Sequence, residues 1–365
     1  MTPNGLKRQK LSSDWSEGAS NRIKMKILIV GQGIAGSVLA HLLSGRGCDV
    51  HLADAGMPGS SSRFAAGIIN PVTGKRFVKS WNFDLFFPVA MQVYREMESL
   101  AGASLIREYP VVRLLAAPGE VNDWSARCAQ PDYTDHVREL HDAREWAPLL
   151  KPGFHFGEIS RAARVDFPQL LQAVRKRWND EGRFLFQAVE VERIDDWLSE
   201  FDKVIFTEGF RGQFNELFPT DLWRVAKGEA LIIRFPDFQG RVFNSMLKKT
   251  AIIAPLGDDT FWVGGTYQWH FPDFAPSSGE RDFLIGHLNE MLDVPYEIID
   301  HVAGVRPTVK DRKPLIGESP VKKDVFIFNG MGTKGALLAP YWATHLVNHL
   351  LDGEPIDSEV TLLRE

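Results

Sequence analysis

The chain has 365 residues, 44% of them apolar and 24% charged, the balance of an ordinary globular protein long enough to bury a sizeable core and to form two lobes. A formal net charge of -5 gives no electrostatic reason to expect a nucleic-acid or anionic-membrane partner. Cys48 and Cys128 have no CxxC or Cys/His ligand spacing and the histidines no metal spacing, so neither a disulfide framework nor a metal centre is expected, and a reducing cytoplasm fits.

Residues 1–24 are polar, mixed in charge and without periodicity, which predicts a mobile tail. A second methionine, Met25, directly precedes the first strand, and translation from there is the alternative reading. From Lys26 to Asp54 the sequence reads as a strand (KILIV), a glycine turn (GQGIAG), a helix and a second strand (DVHLAD), a βαβ unit. The apolar stretch Ile27 to Leu43 is interrupted by Gly31, Gly33 and Gly36 and by Gln32, Ser37 and His41, so it does not read as a membrane span.

The segment AGMPGSSSRFAAGIINPVTGKRF is dense in Gly, Ser and Pro and predicts a loop or a broken helix start. Helical periodicity follows over 84–100 and 166–180, with short strands at FQAVEV and DKVIFTEG. Between 228 and 270, GEALIIRF, TAIIAPL and TFWVGGTYQW read as strands. Finally DVFIFNG is a strand running into GMGTKG, and a helix follows with Leu337, Leu338, Tyr341, His345, Leu346 and Leu350 along one side.

In GQGIAG, Gly31 permits a tight turn, Gly33 lets backbone approach a pyrophosphate, and Gly36 allows close packing of helix on strand. Ile34 and Ala35 open the helix whose N-terminus faces the phosphates. Asp54, at the end of the second strand, is placed to accept hydrogen bonds from a ribose diol. Its charge disfavours a 2′-phosphate, and hence NADP, with no arginine replacing it. Ser61 and Ser62 could donate to phosphate oxygens or serve only as solvated turn residues.

GQGIAG, Asp54, SSRFAAG, GVRPTVKDRKPLIG (304–317) and GMGTKGALLAP (330–340) together resemble the D-amino-acid oxidase superfamily of FAD-dependent oxidoreductases, in its glycine-oxidase-like branch. The resemblance spans both ends of the chain, whereas 86–227 matches only in spacing and scattered strands. It implies non-covalent FAD, held at its ADP half by Gly31, Gly33, Gly36 and Asp54. Ser61, Ser62, Ala65, Ala66 and Gly67 would pass the pyrophosphate and flavin, Val191 would meet the adenine region, and Gly209 would approach the cofactor. Thr207-Glu208-Gly209 departs from the family's usual Ala-Thr-Gly. Gly330, Met331, Gly332, Thr333, Lys334 and Gly335 would surround the flavin pyrimidine edge, where negative charge gathers on reduction.

The resemblance further implies that Arg306 grips a substrate carboxylate through its planar fork. The alternative is a structural pair with Asp311 or Glu318. Tyr267 is the second candidate carboxylate contact, with burial of Tyr267 and Trp269 as core aromatics the alternative. His301, just before the G-x-R-P segment, reads as structural rather than catalytic.

The expected fold is α/β: a Rossmann-type FAD-binding domain from 25–85, 150–225 and 300–365, and an α+β substrate domain from 86–149 and 226–299 with a mainly antiparallel sheet. The expected reaction is hydride transfer from an amine-bearing carbon of a small amine or amino acid to FAD. A flavin domain acting on a modified tRNA base and a flavoprotein subunit passing electrons to a partner protein are the competing readings.

Overall fold

The computed structural model describes residues 24–364; the expected tail over 1–24 lies, Lys24 apart, outside the described residues. Strand β1 (Lys26–Val30), helix α1 (Ile34–Gly45) and strand β2 (Asp49–Ala53) form the expected βαβ unit. They belong to a six-stranded sheet in the order Phe184–Leu185, β2, β1, Lys203–Phe206, Val325–Asn329, Leu315–Glu318. Neighbours are parallel except the last pair, which is antiparallel. Both faces are covered, so the strands are apolar almost throughout. Alternate residues then divide between two cores, Ile27 and Ile29 on one side and Leu28 and Val30 on the other.

The Gly335–Asp352 helix departs from its expected single apolar side. It packs against both α1 and helix α2 (Phe83–Ala101), so Trp342, Ala343 and Val347 are buried along with Leu337, Leu338 and Leu346. Tyr341 and Leu350 are only partly buried against the same core. A helix wedged between two others needs more than one apolar stripe.

The second sheet has eight strands: Glu297–Arg306, Ala226–Arg234, Thr260–Gly264, Ile252–Gly257, Met246–Lys248, Val111–Leu115, His155–Ile159 and Val137–Leu140. It is antiparallel except where Met246–Lys248 runs parallel to Val111–Leu115. Two expected strands are corrected. TFWVGGTYQW is a strand only to Gly264, where the Trp262 ring folds over the glycine and fills the space a side chain would need. FQAVEV is not a strand; pairing stops one residue earlier, at Leu185. Its partner β2 ends at Ala53, and once Asp54 N–H has donated to Leu185 O the ladder has no further backbone to bond. Among the described residues no helix is long and apolar enough to cross a membrane.

Candidate active site

The parallel strands end on one side of a cleft of about 1240 Å³, with Val30, Ala53, Thr207 and Asn329 in its wall. Such an edge is where ligands bind in open α/β sheets. The opposite wall comes from the eight-stranded sheet through Gly228, Lys248, Ile252, Trp262 and Arg306.

At the β1 end the turn is closed by steric necessity. Gly31 has φ +105°, and a Cβ there would stand 2.7 Å from Thr207 O. A Cβ on Gly36 would overlap Gly31 O and lie 2.6 Å from Thr207 Oγ1. Gly36 is therefore a packing residue outside the cleft lining, whereas Gly31, Gly33, Ile34 and Ala35 line it. Asp54 braces the turn: its Oδ2 accepts from Gln32 N–H and its Oδ1 from Gly56 N–H, each at 2.7 Å. Each oxygen keeps a lone pair for a ribose hydroxyl. Two arginines that the sequence reading did not place, Arg63 and Arg175, stand 3.9 Å from the same Oδ1.

Ser62 Oγ accepts from Ile34 N–H at 3.1 Å, which leaves the hydroxyl proton for an acceptor in the cleft. Ser61, Ala65, Ala66, Gly67 and Gly209 also line it. Val191 does not. It begins a short 3-10 helix, and Gln187, Ala188 and Val189 take the wall position, because the chain leaves the sheet at Leu185 and meets the cleft sooner than a longer strand would. Glu208 lines the cleft and accepts from Asn215 Nδ2 at 3.0 Å; burial raises its pKa.

At the far end Met331, Gly332, Thr333, Lys334 and Gly335 line the cleft at the N-terminus of the Gly335 helix. Gly330 does not line it; its N–H is turned to Asn329 Oδ1. Burial, reinforced by Arg312, holds the Lys334 ammonium below the usual lysine range. Thr308 Oγ1 is buried with no hydrogen-bond partner among the described residues, in the cleft wall facing Gly332.

Arg306 also lines the cleft. Its Nη1 donates to Thr266 O at 3.0 Å, and its guanidinium lies 5.1 Å from the Tyr267 ring centre. Neither structural partner weighed from the sequence is taken. Asp311 receives a two-pronged bond from Arg364, at 2.6 and 3.1 Å, and Glu318 accepts from Asp324 N–H. Among the described residues no carboxylate lies within 4.0 Å of Arg306, and burial depresses its pKa. Tyr267 is 41% exposed rather than a core aromatic, and Trp269 lines the cleft with Arg224 over its ring at 4.4 Å. His301 lies outside the lining, its Nε2 2.9 Å from buried Glu229.

Lys248 in the cleft wall was also missed, since nothing in SMLKKTAII distinguishes it from the adjacent Lys249. Among the described residues no cluster of His, Cys, Asp and Glu could hold a metal ion. An FAD fits the residues present. Glycine backbone and a helix N-terminus would suit a pyrophosphate at one end, and a threonine hydroxyl unpartnered among the described residues and a second helix N-terminus would suit a flavin edge at the other.

The family model described as FAD dependent oxidoreductase (DAO) matches residues 26–348. The chain is 23% identical over 363 residues to glycine oxidase of Pseudomonas aeruginosa, covering 91% of this chain and 96% of that protein. The crystal structure of glycine oxidase from Geobacillus kaustophilus covers 94% of this chain and 99% of its own, at 19% identity and a TM-score of 0.75. Iminodiacetate oxidase from Chelativorans sp. BNC1 is similar in fold, with 92% and 99% covered, 19% identity and a TM-score of 0.72.

Proposed function

The chain belongs to the FAD-dependent oxidoreductase family, and from that premise we propose that it oxidises the C–N bond of a small amine or amino acid whose carboxylate is held by Arg306. The observation that carries the reading is a partly buried guanidinium in the wall of the cleft with no carboxylate partner within 4.0 Å among the described residues. A buried charge is costly to leave unpaired, and a planar fork with one prong on Thr266 O still offers donors to a carboxylate. Its relatives bear the names glycine oxidase and iminodiacetate oxidase, both of which fit a substrate with an amine and an acid.

When bound, FAD would supply a two-electron acceptor for the hydride on the carbon beside nitrogen, the amine losing that hydride and an N–H proton to become an imine that water hydrolyses to a carbonyl compound and an amine. The protein's part is holding and orienting. Gly31, Gly33, Ile34, Ala35, Asp54, Ser61 and Ser62 would hold the ADP half, and Ala65, Ala66, Gly67, Gly209 and the Met331–Gly335 segment the flavin. Arg306, with Tyr267 packed against it, would fix the substrate so that its C–H bond points at the ring. No paired carboxylate or Ser/His/Asp constellation is required for this step. The same reading divides the chain into a cofactor domain (25–85, 150–225, 300–365) and a substrate domain (86–149, 226–299), with His155–Ile159 and Glu297–Arg306 crossing into the eight-stranded sheet of the second.

The test is anaerobic mixing of the FAD-loaded protein with glycine, sarcosine, proline and D-amino acids. Loss of the visible flavin band with at least one of them supports the reading. An unchanged band with all of them, and with their decarboxylated amines, would move the assignment to another substrate class.

A further inference from the structure

Lys248 and Arg306 face the same cleft from one sheet, and the two lie on strands at different places in it. Neither has a carboxylate within 4.0 Å among the described residues. Among the described residues the only hydrogen bond of the Lys248 ammonium is a long one, 3.4 Å to Thr250 O. Its register partner is a second cation, Arg113, which bonds Lys249 O and has Glu120 at 3.8 Å. Of the two adjacent cations, only Arg113 has an acid beside it.

The sheet sets the distance between the free cations. Arg306 reaches inward across the Ala226–Arg234 strand, so that a Cβ on Gly265, just past the Thr260–Gly264 strand, would lie 3.2 Å from its Nη2. From there the order runs through Ile252–Gly257 to the Met246–Lys248 strand. That is the width of two strand spacings, roughly 10 Å, before the lysine arm shortens it. Apolar Ile252 and Trp262 line the cleft between them.

We propose that the substrate is an amine carrying two anionic groups, one gripped by Arg306 and the second by Lys248, with a short apolar chain between them along Ile252 and Trp262. This rests on the reading of Arg306 as a carboxylate holder and deepens it to a substrate class: an N-(carboxyalkyl) amino acid, or an α-amino acid with an acidic side chain. Burial brings the Lys248 pKa down to about 8, as expected of an ammonium whose counter-ion arrives with the ligand. A second carboxylate satisfies it, whereas a neutral alkyl group of equal length leaves it bare.

The experiment compares matched pairs on the FAD-loaded enzyme: N-(2-carboxyethyl)glycine against N-propylglycine, and glutamate against norvaline, each by kcat/KM in anaerobic flavin reduction. The expected result is at least a tenfold preference for the doubly acidic member of one pair, and that pair tells the two sources apart. Lys248→Met should bring the preference towards one, and Lys248→Arg should restore most of it. Flavin reduction by the singly acidic amines with no preference in either pair overturns this inference and leaves the amine reading standing. A preference that survives Lys248→Met, or a shifted flavin spectrum in that variant with the preference intact, also overturns it, since the lysine then serves something other than the substrate. Reduction by none of the four amines overturns this inference, and if glycine, sarcosine, proline and D-amino acids also leave the flavin oxidised, the amine reading falls with it.

Discussion

The guanidinium of Arg306 lies directly over Gly228: a Cβ built on that glycine would overlap Nη2 and stand 2.5 Å from Nη1. The two residues sit on paired strands, Ala226 opposite Arg306 and Gly228 opposite Gly304. The missing side chain is what lets the arginine lie flat along the sheet with its fork in the cleft. Gly228→Ala should push the fork away without touching the cofactor end. We expect KM for a carboxylated amine to rise roughly tenfold to a hundredfold, about 1.4–2.8 kcal/mol of lost binding, with the flavin absorbance unchanged. Steady-state kinetics beside an FAD titration checks this, and an unchanged KM would mean that the guanidinium is not positioned by that contact.

Ser62 and Gly36 support the cofactor end differently. Ser62→Ala removes the acceptor for Ile34 N–H at the start of α1. The expected loss is about 1 kcal/mol of stability and a severalfold weaker hold on FAD. Gly36→Ala is harsher, because its Cβ meets Gly31 O, which is backbone and cannot swing aside. The purified variant should carry no flavin. Thermal melts and flavin content after gel filtration report both, and a fully flavinylated Gly36→Ala protein would contradict the packing described.

The partly buried Lys248 ammonium has a pH signature. Its folded pKa is about 8 against the usual 10.5, so between those values the unfolded chain binds more protons and native stability rises with pH. That contribution is fully present above pH 10.5, shrinks as the pH falls and is gone below about pH 8. Lys248→Met removes the penalty, so the variant should melt roughly 5 °C higher at pH 7 and show little advantage near pH 10.5. Melting curves of both proteins across that range decide it. An equal offset at every pH would show that packing, not charge, accounts for the difference.

What was legible in the sequence was local. The β1, α1 and β2 boundaries, the Gly31/Gly33/Gly36 turn with Asp54, and the strand and helix around GMGTKG follow from short runs whose periodicity and turn residues are contiguous. Lys248, Gly228 and Thr308 were not legible as site residues, because each reaches the cleft through strand pairing or a turn distant in sequence. Val191 was placed too far along for the same reason: where the chain leaves β2's neighbour depends on the length of β2, not on FQAVEV. Arg306 was legible only through its G-x-R-P neighbourhood, and that Asp311 pairs elsewhere was not, because its partner Arg364 lies 53 residues further along the chain.

The central claim is that Arg306 binds the carboxylate of an amine oxidised at the flavin, and anaerobic reduction of the wild-type and Arg306→Ala proteins by one carboxylated amine tests it most directly. The wild type should lose its visible flavin band. The variant, with the same starting spectrum, should need about a hundredfold more substrate for the same rate, while an amine lacking the carboxylate reduces both alike. Equal rates with the carboxylated amine in both proteins would contradict the claim.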